Sequence, residues 1–370
     1  MRVLVVNAGS SSLKLSLLDV QDGTPDPRPV AARTVERWAG EEELAPIEEF
    51  LSGVDGPVDV VGHRVVHGGP TLSGPTALDG GTLDRLAALT ELAPLHQPRS
   101  LAGVRAVTRL LPAVPAVAAF DTAFHATLDP AASTYALPRE WNRRWGLRRY
   151  GFHGLSHAYA VRRAAALVGR PVEDLRVVSA HLGAGASLAA VDRGRSVDTT
   201  MGFTPLAGLV MATRSGSVDP GLLLWLLARG GVGIDDLADA LEHRAGLAGL
   251  TGTTGDMRDV LAARAAGDAD AALALDVFGH RLAREVAAMT AATRGIDVLV
   301  ATGGVGEHAA PVRADLADRL AHLGVRIDPA RNADARGDAR ISAVGAEVET
   351  VVVTAREDLE IARAAAAVHA

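Results

Sequence analysis

The sequence predicts an α/β protein of two domains, and three observations carry that prediction. A strand, a polar glycine-containing tip and a second strand open the chain. The same arrangement returns near residue 177, and short apolar strands alternate with helical stretches between and after the two. The length, 370 residues, suits about two domains of ordinary size.

Residues 3–6 form an apolar run that reads as a buried strand, and 13–18 read as its partner, with Leu15 and Leu17 alternating with Lys14 and Ser16. The tip between them is Asn7-Ala8-Gly9-Ser10-Ser11-Ser12. Gly9 lets an anion approach the backbone, and three hydroxyls with successive N–H groups can donate to its oxygens. Lys14 is the one lysine among 37 basic residues, the other 36 being arginine. A lysine kept against such a bias suits a compact anion, and phosphate is the natural candidate.

A Pro, Asp and Gly-rich turn region lies at 21–29, then a strand at 58–66 that ends in Gly68-Gly69. Residues 83–92 read as a helix stopped by Pro94 and Pro98. Residues 116–120 read as a strand running into the polar loop Asp121-Thr122-Ala123-Phe124-His125. In the second half, 177–188 is again strand, glycine turn, strand, and Arg193-Gly194-Arg195 turns toward a further strand at 197–199. A third glycine tip comes after the strand at 298–302, as Gly303-Gly304-Val305-Gly306-Glu307. The apolar stretch 222–228 is too short to span a bilayer and reads as a buried helix.

Composition excludes several classes. The net charge, 37 − 44 = −7, disfavours nucleic acid and acidic membranes as partners. Cysteine is absent, so disulfides, thiol catalysis and thiolate metal sites are excluded, and a cytoplasmic location is expected. The apolar run after Arg2 is too short for a signal peptide. Neither G-x-x-x-x-G-K-[ST] nor G-x-G-x-x-G occurs, so any nucleotide is held by another geometry. His153 and His157 have i, i+4 spacing, but Gly154 stands where a zinc hydrolase needs glutamate.

Taken together the motifs resemble one family, the acetate kinases, within the superfamily of sugar kinases, actin and related ATPases. They run in order: Asn-Ala-Gly-Ser-Ser-Ser-x-Lys at 7–14, Gly-His-Arg-Val-Val-His-Gly-Gly at 62–69, Ala-Pro-Leu-His at 93–96, and Phe-Asp-Thr-Ala-Phe-His at 120–125. Tyr-Gly-Phe-His-Gly-x-Ser-His at 150–157, His181-Leu182-Gly183, Met-Gly-Phe-Thr-Pro-Leu at 201–206, Thr213-Arg214-Ser215-Gly216 and the tip at 303–307 continue the series. The resemblance implies an actin-like, ribonuclease H-like fold in which mixed sheets flanked by helices form two domains around an active-site cleft. Those domains are expected at 1–148 plus a returning C-terminal helix at 357–370, and at 149–356. It implies reversible phosphoryl transfer from ATP to acetate, giving acetyl phosphate and ADP, with Mg²⁺ (or Mn²⁺), in a homodimer. A propionate or other short-chain acyl kinase shares nearly all these motifs. A nucleotide-binding module of the actin type without acyl chemistry is the remaining alternative, and it leaves Arg64, Asp121, His153 and Arg214 without a purpose.

By the same resemblance, Arg64 is carried over toward the acetate carboxylate, Arg214 toward the phosphoryl oxygens, and His153 toward transition-state charge. Asp121 matches the family's catalytic aspartate. Acetate is already ionised near neutral pH, so no proton needs removing, and Asp121 is expected to orient Arg64 or help hold the metal. Asn7 and Glu357 match the metal-holding positions, although Ala355-Arg356-Glu357-Asp358-Leu359 differs from the common family segment. Val66, Leu95, Phe152 and Pro205 match the acyl pocket. Lys14, His181, Leu182, Gly183, Ala184 and Gly185 match the phosphate loops. Asp256, Met257 and Arg258, with Gly303, Gly304, Val305, Gly306 and Glu307, match the nucleoside site. Ala184 and Ser217 depart from the family, which has asparagine and aspartate there, and Ala184 is expected to weaken nucleotide binding. His96 and His125 are secondary candidates, and His67 has no assigned role.

Overall fold

The structure is a computed structural model that describes residues 1–370 apart from 10, 11, 22, 25, 41 and 95. The hydroxyls of Ser10 and Ser11 and the side chain of Leu95 therefore lie outside the described residues.

The chain divides into two compact units, one of 1–126, 152–159 and 356–370, the other of 127–151 and 160–355. This differs from the expected boundaries. Residues 127–151 pack with the second unit because Thr127 Oγ1 donates to the Ser196 carbonyl at 2.8 Å and Arg149 Nη1 donates to the carbonyls of Thr199, Thr200 and Met201. Residues 152–159 stay with the first unit, where the Gly154 N–H donates to the Asp121 carbonyl at 2.8 Å.

The first unit carries β1 (Arg2–Ala8), β2 (Ser12–Asp19), β3 (Arg28–Glu36), β4 (Val60–Val65), β5 (Thr76–Ala77) and β6 (Ala116–Phe120) in one sheet of order β3-β2-β1-β4-β6-β5. The alternation read from the sequence sets β2: Leu13, Leu15 and Leu17 are buried and Lys14 is exposed. They pack with Leu4, Val6, Trp38, Ile47 and Phe50, and with Ala106 and Val107 of the helix Gln97–Leu110. Pro98 starts that helix at its first turn, rather than ending the one before it as expected, because a missing N–H costs nothing there. The helix Glu357–His369 packs on β4, β1 and β6. It comes so close that a Cβ on Gly62 of β4 would lie 2.8 Å from Ile361 Cγ2, which explains a glycine inside a buried strand.

The second unit carries β7 (Arg176–Leu182), β8 (Ala186–Asp192), β9 (Arg195–Thr199), β10 (Val298–Thr302), β11 (Ala339–Arg340) and β12 (Glu349–Val352), in the order β11-β12-β10-β7-β8-β9. Its topology, taken from the opposite edge, repeats that of the first sheet. In both, an antiparallel meander of three strands is succeeded by two parallel strands and a short antiparallel edge. The 24-residue helix Ala269–Ala292 lies against β7, β8 and β9 with Ala271, Ala274, Leu275, Phe278, Leu282, Val286 and Met289 buried at helical spacing.

Two local expectations are overturned. The glycine tip at 303–307 is the helix Gly303–His308, so the chain turns directly from β10 into a helix. The stretch expected as a buried helix is helical, Pro220–Ala228, but none of its residues is buried.

Candidate active site

Three neighbouring parallel strands end at one place in the first unit. Asn7 is the last residue but one of β1, Arg64 lies near the end of β4, and Asp121 comes directly after β6; registers pair Val6 with His63 and Val65 with Phe120. The carboxyl ends of parallel strands are where such sheets present functional groups. Arg64 Nε and Nη2 donate to the two carboxylate oxygens of Asp121 at 3.1 and 2.5 Å, a bidentate fork, and Nη1 donates to Asn7 Oδ1 at 3.2 Å. Asn7 Nδ2 in turn donates to Glu357 Oε2 at 3.2 Å, at the first residue of the last helix, and that oxygen lies 3.8 Å from Arg64 Nε. Burial works against the guanidinium charge, but the Asp121 and Glu357 carboxylates outweigh it and raise its affinity for the proton. The site therefore holds a cation of fixed direction beside two carboxylates, one of them, Asp121, almost fully buried.

Beside this cluster stands the turn 152–154. His153 has φ +56°, a left-handed conformation that costs energy in a residue with a Cβ and points to function where it persists. Gly154 is required: a Cβ there would lie 2.2 Å from the Asp121 carbonyl oxygen. Phe152 is buried, its ring 5.6 Å from that of His67 in an edge-on arrangement, and Val66 is also buried. Phe152 and His153 thus belong to the first unit, not to the second as the expected boundary had it. Lys14 is exposed on β2 directly opposite Asn7, so the two share a face of the sheet.

In the second unit a cavity of about 360 Å³ is lined by Gly183, Ala184, Asp256, Met257, Arg258, Gly304 and Val305, all singled out in the sequence. Ala212, Leu247, Phe278, His308 and Ala309 also line it and belong to none of the motifs. Asp256 caps the helix Met257–Ala265, accepting from the Arg258 N–H at 2.9 Å. The Arg258 side chain and that N–H hold its carboxyl down at about 2. His181, Leu182, Gly185, Gly303, Gly306 and Glu307 are not among the lining residues, and several have structural work instead. Leu182 is buried in β7, the carbonyls of Gly306 and Glu307 accept from Arg313 Nη1 at 2.9 and 2.8 Å, and Glu307 Oε1 accepts from the Ala355 N–H. Gly185 accepts from the Gly183 N–H at 3.0 Å, closing the loop between β7 and β8.

Arg214 also lies in the second unit. Its Nη1 donates to the Pro205 carbonyl at 2.9 Å and its Nε lies 3.7 Å from Glu242 Oε2. Burial pushes its pKa down, against the pull of Glu242. Ser217 closes the segment that carries it: its Oγ accepts from the Gly208 N–H at 2.9 Å and its own N–H donates to the Gly208 carbonyl.

The family model of the acetokinase family matches residues 44–363. The chain is 47% identical to an acetate kinase of Leifsonia xyli and 44% identical to one of Synechococcus, in each case over 98% of both chains. Among solved structures, the acetate kinase of Porphyromonas gingivalis superimposes with a TM-score of 0.89 at 34% identity, and a propionate kinase of Francisella tularensis with 0.88 at 34%, each over 99% of both chains. With its motifs, two mixed sheets and full-length similarity in agreement, the chain belongs to the acetokinase family.

Proposed function

We propose that this chain is an acetate kinase, transferring the terminal phosphoryl group of ATP to acetate and running in reverse from acetyl phosphate and ADP. The observation that supports it most is the fork between Arg64 and Asp121 beside Asn7 and Glu357. An arginine already fixed in direction can receive a carboxylate without reorganising, and phosphoryl transfer asks little more of a protein than alignment and charge stabilisation. Val66, Phe152 and Pro205 are assigned to the methyl group. One oxygen of acetate attacks phosphorus as the bond to ADP breaks, and no proton moves at the acceptor. His153 and Arg214 are assigned to the negative charge on the phosphoryl oxygens, while Lys14, Gly183, Ala184, Asp256 and Gly304 belong to the nucleotide.

The donor set fits a hard divalent cation. Asn7 Oδ1 and the carboxylates of Glu357 and Asp121 are all oxygen. Among the described residues no three His, Asp or Glu side chains form a metal cluster, as suits an ion that takes its remaining ligands from phosphate and water. Asn7 and Glu357 would hold Mg²⁺, which when bound neutralises charge on the phosphates.

Hydroxamate formation from acetate, propionate and butyrate with ATP and Mg²⁺ tests the reading. Acetate should be preferred over propionate by about 10-fold or more, since one methylene in a small apolar box is worth about 1–3 kcal/mol. A reversed order makes the chain a propionate kinase, the reading that the Francisella relative supports equally in fold. No product from any acid leaves a nucleotide-binding module.

Two further outcomes concern the second unit. Ala184 lines the nucleotide cavity with a methyl group, so Ala184→Asn adds a donor toward phosphate. The KM for ATP should fall about 10-fold, the worth of one hydrogen bond to a charged group, and an unchanged value overturns the assignment. The helix Pro220–Ala228 presents Leu222, Leu224, Trp225 and Leu227 to solvent, with Trp225 57% exposed. A face so apolar, continued by Val218, is assigned to a second copy of the chain as a homodimer interface. Trp225→Glu should convert the dimer to a monomer in light scattering at micromolar concentration; a wild type that is already monomeric overturns this. No helix among the described residues is long and apolar enough to cross a membrane, and the cytoplasm is the proposed location.

A further inference from the structure

We infer that His125 is a positioning residue for His153: one buried side-chain hydrogen bond fixes the peptide that holds His153 in its left-handed conformation. The inference rests on the reading of the chain as an acetate kinase, in which His153 faces the transferring phosphoryl group.

His125 lies in the single 3-10 turn Ala123–Thr127 just after Asp121, and no part of it reaches solvent. Its Nε2 is 3.0 Å from the Phe152 carbonyl oxygen. A carbonyl only accepts, so Nε2 carries the proton and donates. Phe152 O belongs to the peptide that joins Phe152 to His153, whose φ is +56°. Two main-chain bonds also hold this turn: the Gly154 N–H donates to the Asp121 carbonyl at 2.8 Å, and the His157 N–H donates to the His153 carbonyl at 2.9 Å. His125 therefore supplies a side-chain tether there, one that a substitution can remove without touching the backbone. Two of the three bonds, those to His125 and to the Asp121 carbonyl, tie the turn to the loop that begins at Asp121, whose carboxylate holds Arg64, and the third joins it to the helix that follows. A left-handed histidine has lower-energy backbone states nearby, and a turn released at Phe152 would let the imidazole swing out of line. Displacements of about 1 Å at a reacting centre cost roughly 100-fold in rate.

Steady-state kinetics with acetate, ATP and Mg²⁺ decide the matter through a double-mutant cycle. His125→Leu should lower kcat about 100-fold while both KM values stay within about 3-fold, and His125→Gln, whose amide can donate to the same carbonyl, should recover most of the loss. In a His153→Ala background, adding His125→Leu should change kcat by less than about 2-fold, because the group being positioned is gone. Equal, additive losses in both backgrounds overturn the inference, as does a glutamine variant as poor as the leucine one. Should His125→Leu not fold, nitrogen-15 spectra of the wild-type imidazoles decide instead. A slowly exchanging Nε2 proton on His125 supports the tether, and an Nδ1-protonated or rapidly exchanging ring overturns it. A wild type that makes no acetyl phosphate overturns the kinase reading itself, an outcome the spectra keep separate from loss of the hydrogen bond.

Discussion

Asp121→Asn is expected to lower kcat by about 100-fold or more with no change in the shape of the pH–rate profile above pH 6. The carboxylate accepts from two nitrogens of Arg64 in the fork, and it is almost wholly buried. Asparagine offers one oxygen, and its amide nitrogen would face an Arg64 N–H that can only donate, so the fork opens. The substitution also removes one negative charge from a cluster in which Arg64 faces Asp121 and Glu357. The guanidinium would be drawn toward Glu357, away from the direction that β4 and β6 give it. A general base at residue 121 predicts something else, because an effective base titrates near the working pH and its limb would vanish with the carboxylate. Acetate has no proton to give at that pH, so the profiles of wild type and variant should have the same shape between about pH 6 and 9, the variant's lying lower throughout. Loss of a limb on substitution would return Asp121 to the role of base.

How far the sequence reveals a residue's place depends on whether its neighbours can be inferred from the chain around it. Asn7, Arg64 and Asp121 stand at or next to the ends of apolar strands, so their convergence is expected once those strands are adjacent and parallel. The repeat of strand, glycine turn and strand at 177 is likewise the start of a second sheet of the same topology. The exposure of the helix Pro220–Ala228 is not legible, because an apolar run has the same composition whether it faces a core or a second chain. Pro98 is ambiguous because proline ends one helix and begins another equally well, and only the bonding partners tell which. His67 and His125 give no signal of their partners at all. A histidine's task depends on which carbonyl or N–H lies beside each ring nitrogen, and those groups come from segments distant in sequence: Gln97 holds the His67 backbone, and Phe152 receives His125.

The repeated topology leaves the two sheets with different residues beyond their strand ends. In both sheets an antiparallel hairpin adjoins parallel strands, and the two differ just beyond the strand ends. In the first, β4 and β6 end in Arg64 and Asp121, charged side chains that meet each other. In the second, β10 turns at once into the helix Gly303–His308, and Gly183, Ala184 and Gly304 at the strand ends line a cavity that Asp256 and Arg258 also border. A scaffold that delivers strand ends to one place accepts either outcome, since the sheet is stabilised by its buried faces and not by its tips.

Acid should unfold the first unit well before carboxylate titration alone would do so. His63, His67 and His125 all belong to that unit and are buried. Burial pushes His63 down to about 3, and His67 and His125 to about 4, the last against the opposing effect of its bond to the Phe152 carbonyl. The ordinary value is 6.5, so in the unfolded chain all three bind protons as the pH falls through 6.5, whereas the folded unit binds them only near 3 to 4. The unfolded state thus holds more protons throughout that window, and folding stability must fall as pH falls. It is undiminished above about pH 6.5. Each histidine contributes a slope of about 1.4 kcal/mol per pH unit, so three give about 4 kcal/mol per unit near pH 5. Counted from pH 6.5, that removes about 6 kcal/mol by pH 5 and about 9 kcal/mol by pH 4, so a unit in the lower half of the usual range of about 5–15 kcal/mol unfolds between about pH 4 and 5. Hydrogen exchange followed by mass spectrometry should show β1, β4 and β6 losing protection there before β7, β8 and β10. His63→Leu is the sharpest check, because His63 Nε2 is buried with no hydrogen-bond partner among the described residues and leucine fills similar space with nothing to protonate. It should flatten the slope by about a third and lower the transition pH, whereas a slope that stays the same would mean that His63 is not neutral in the folded unit.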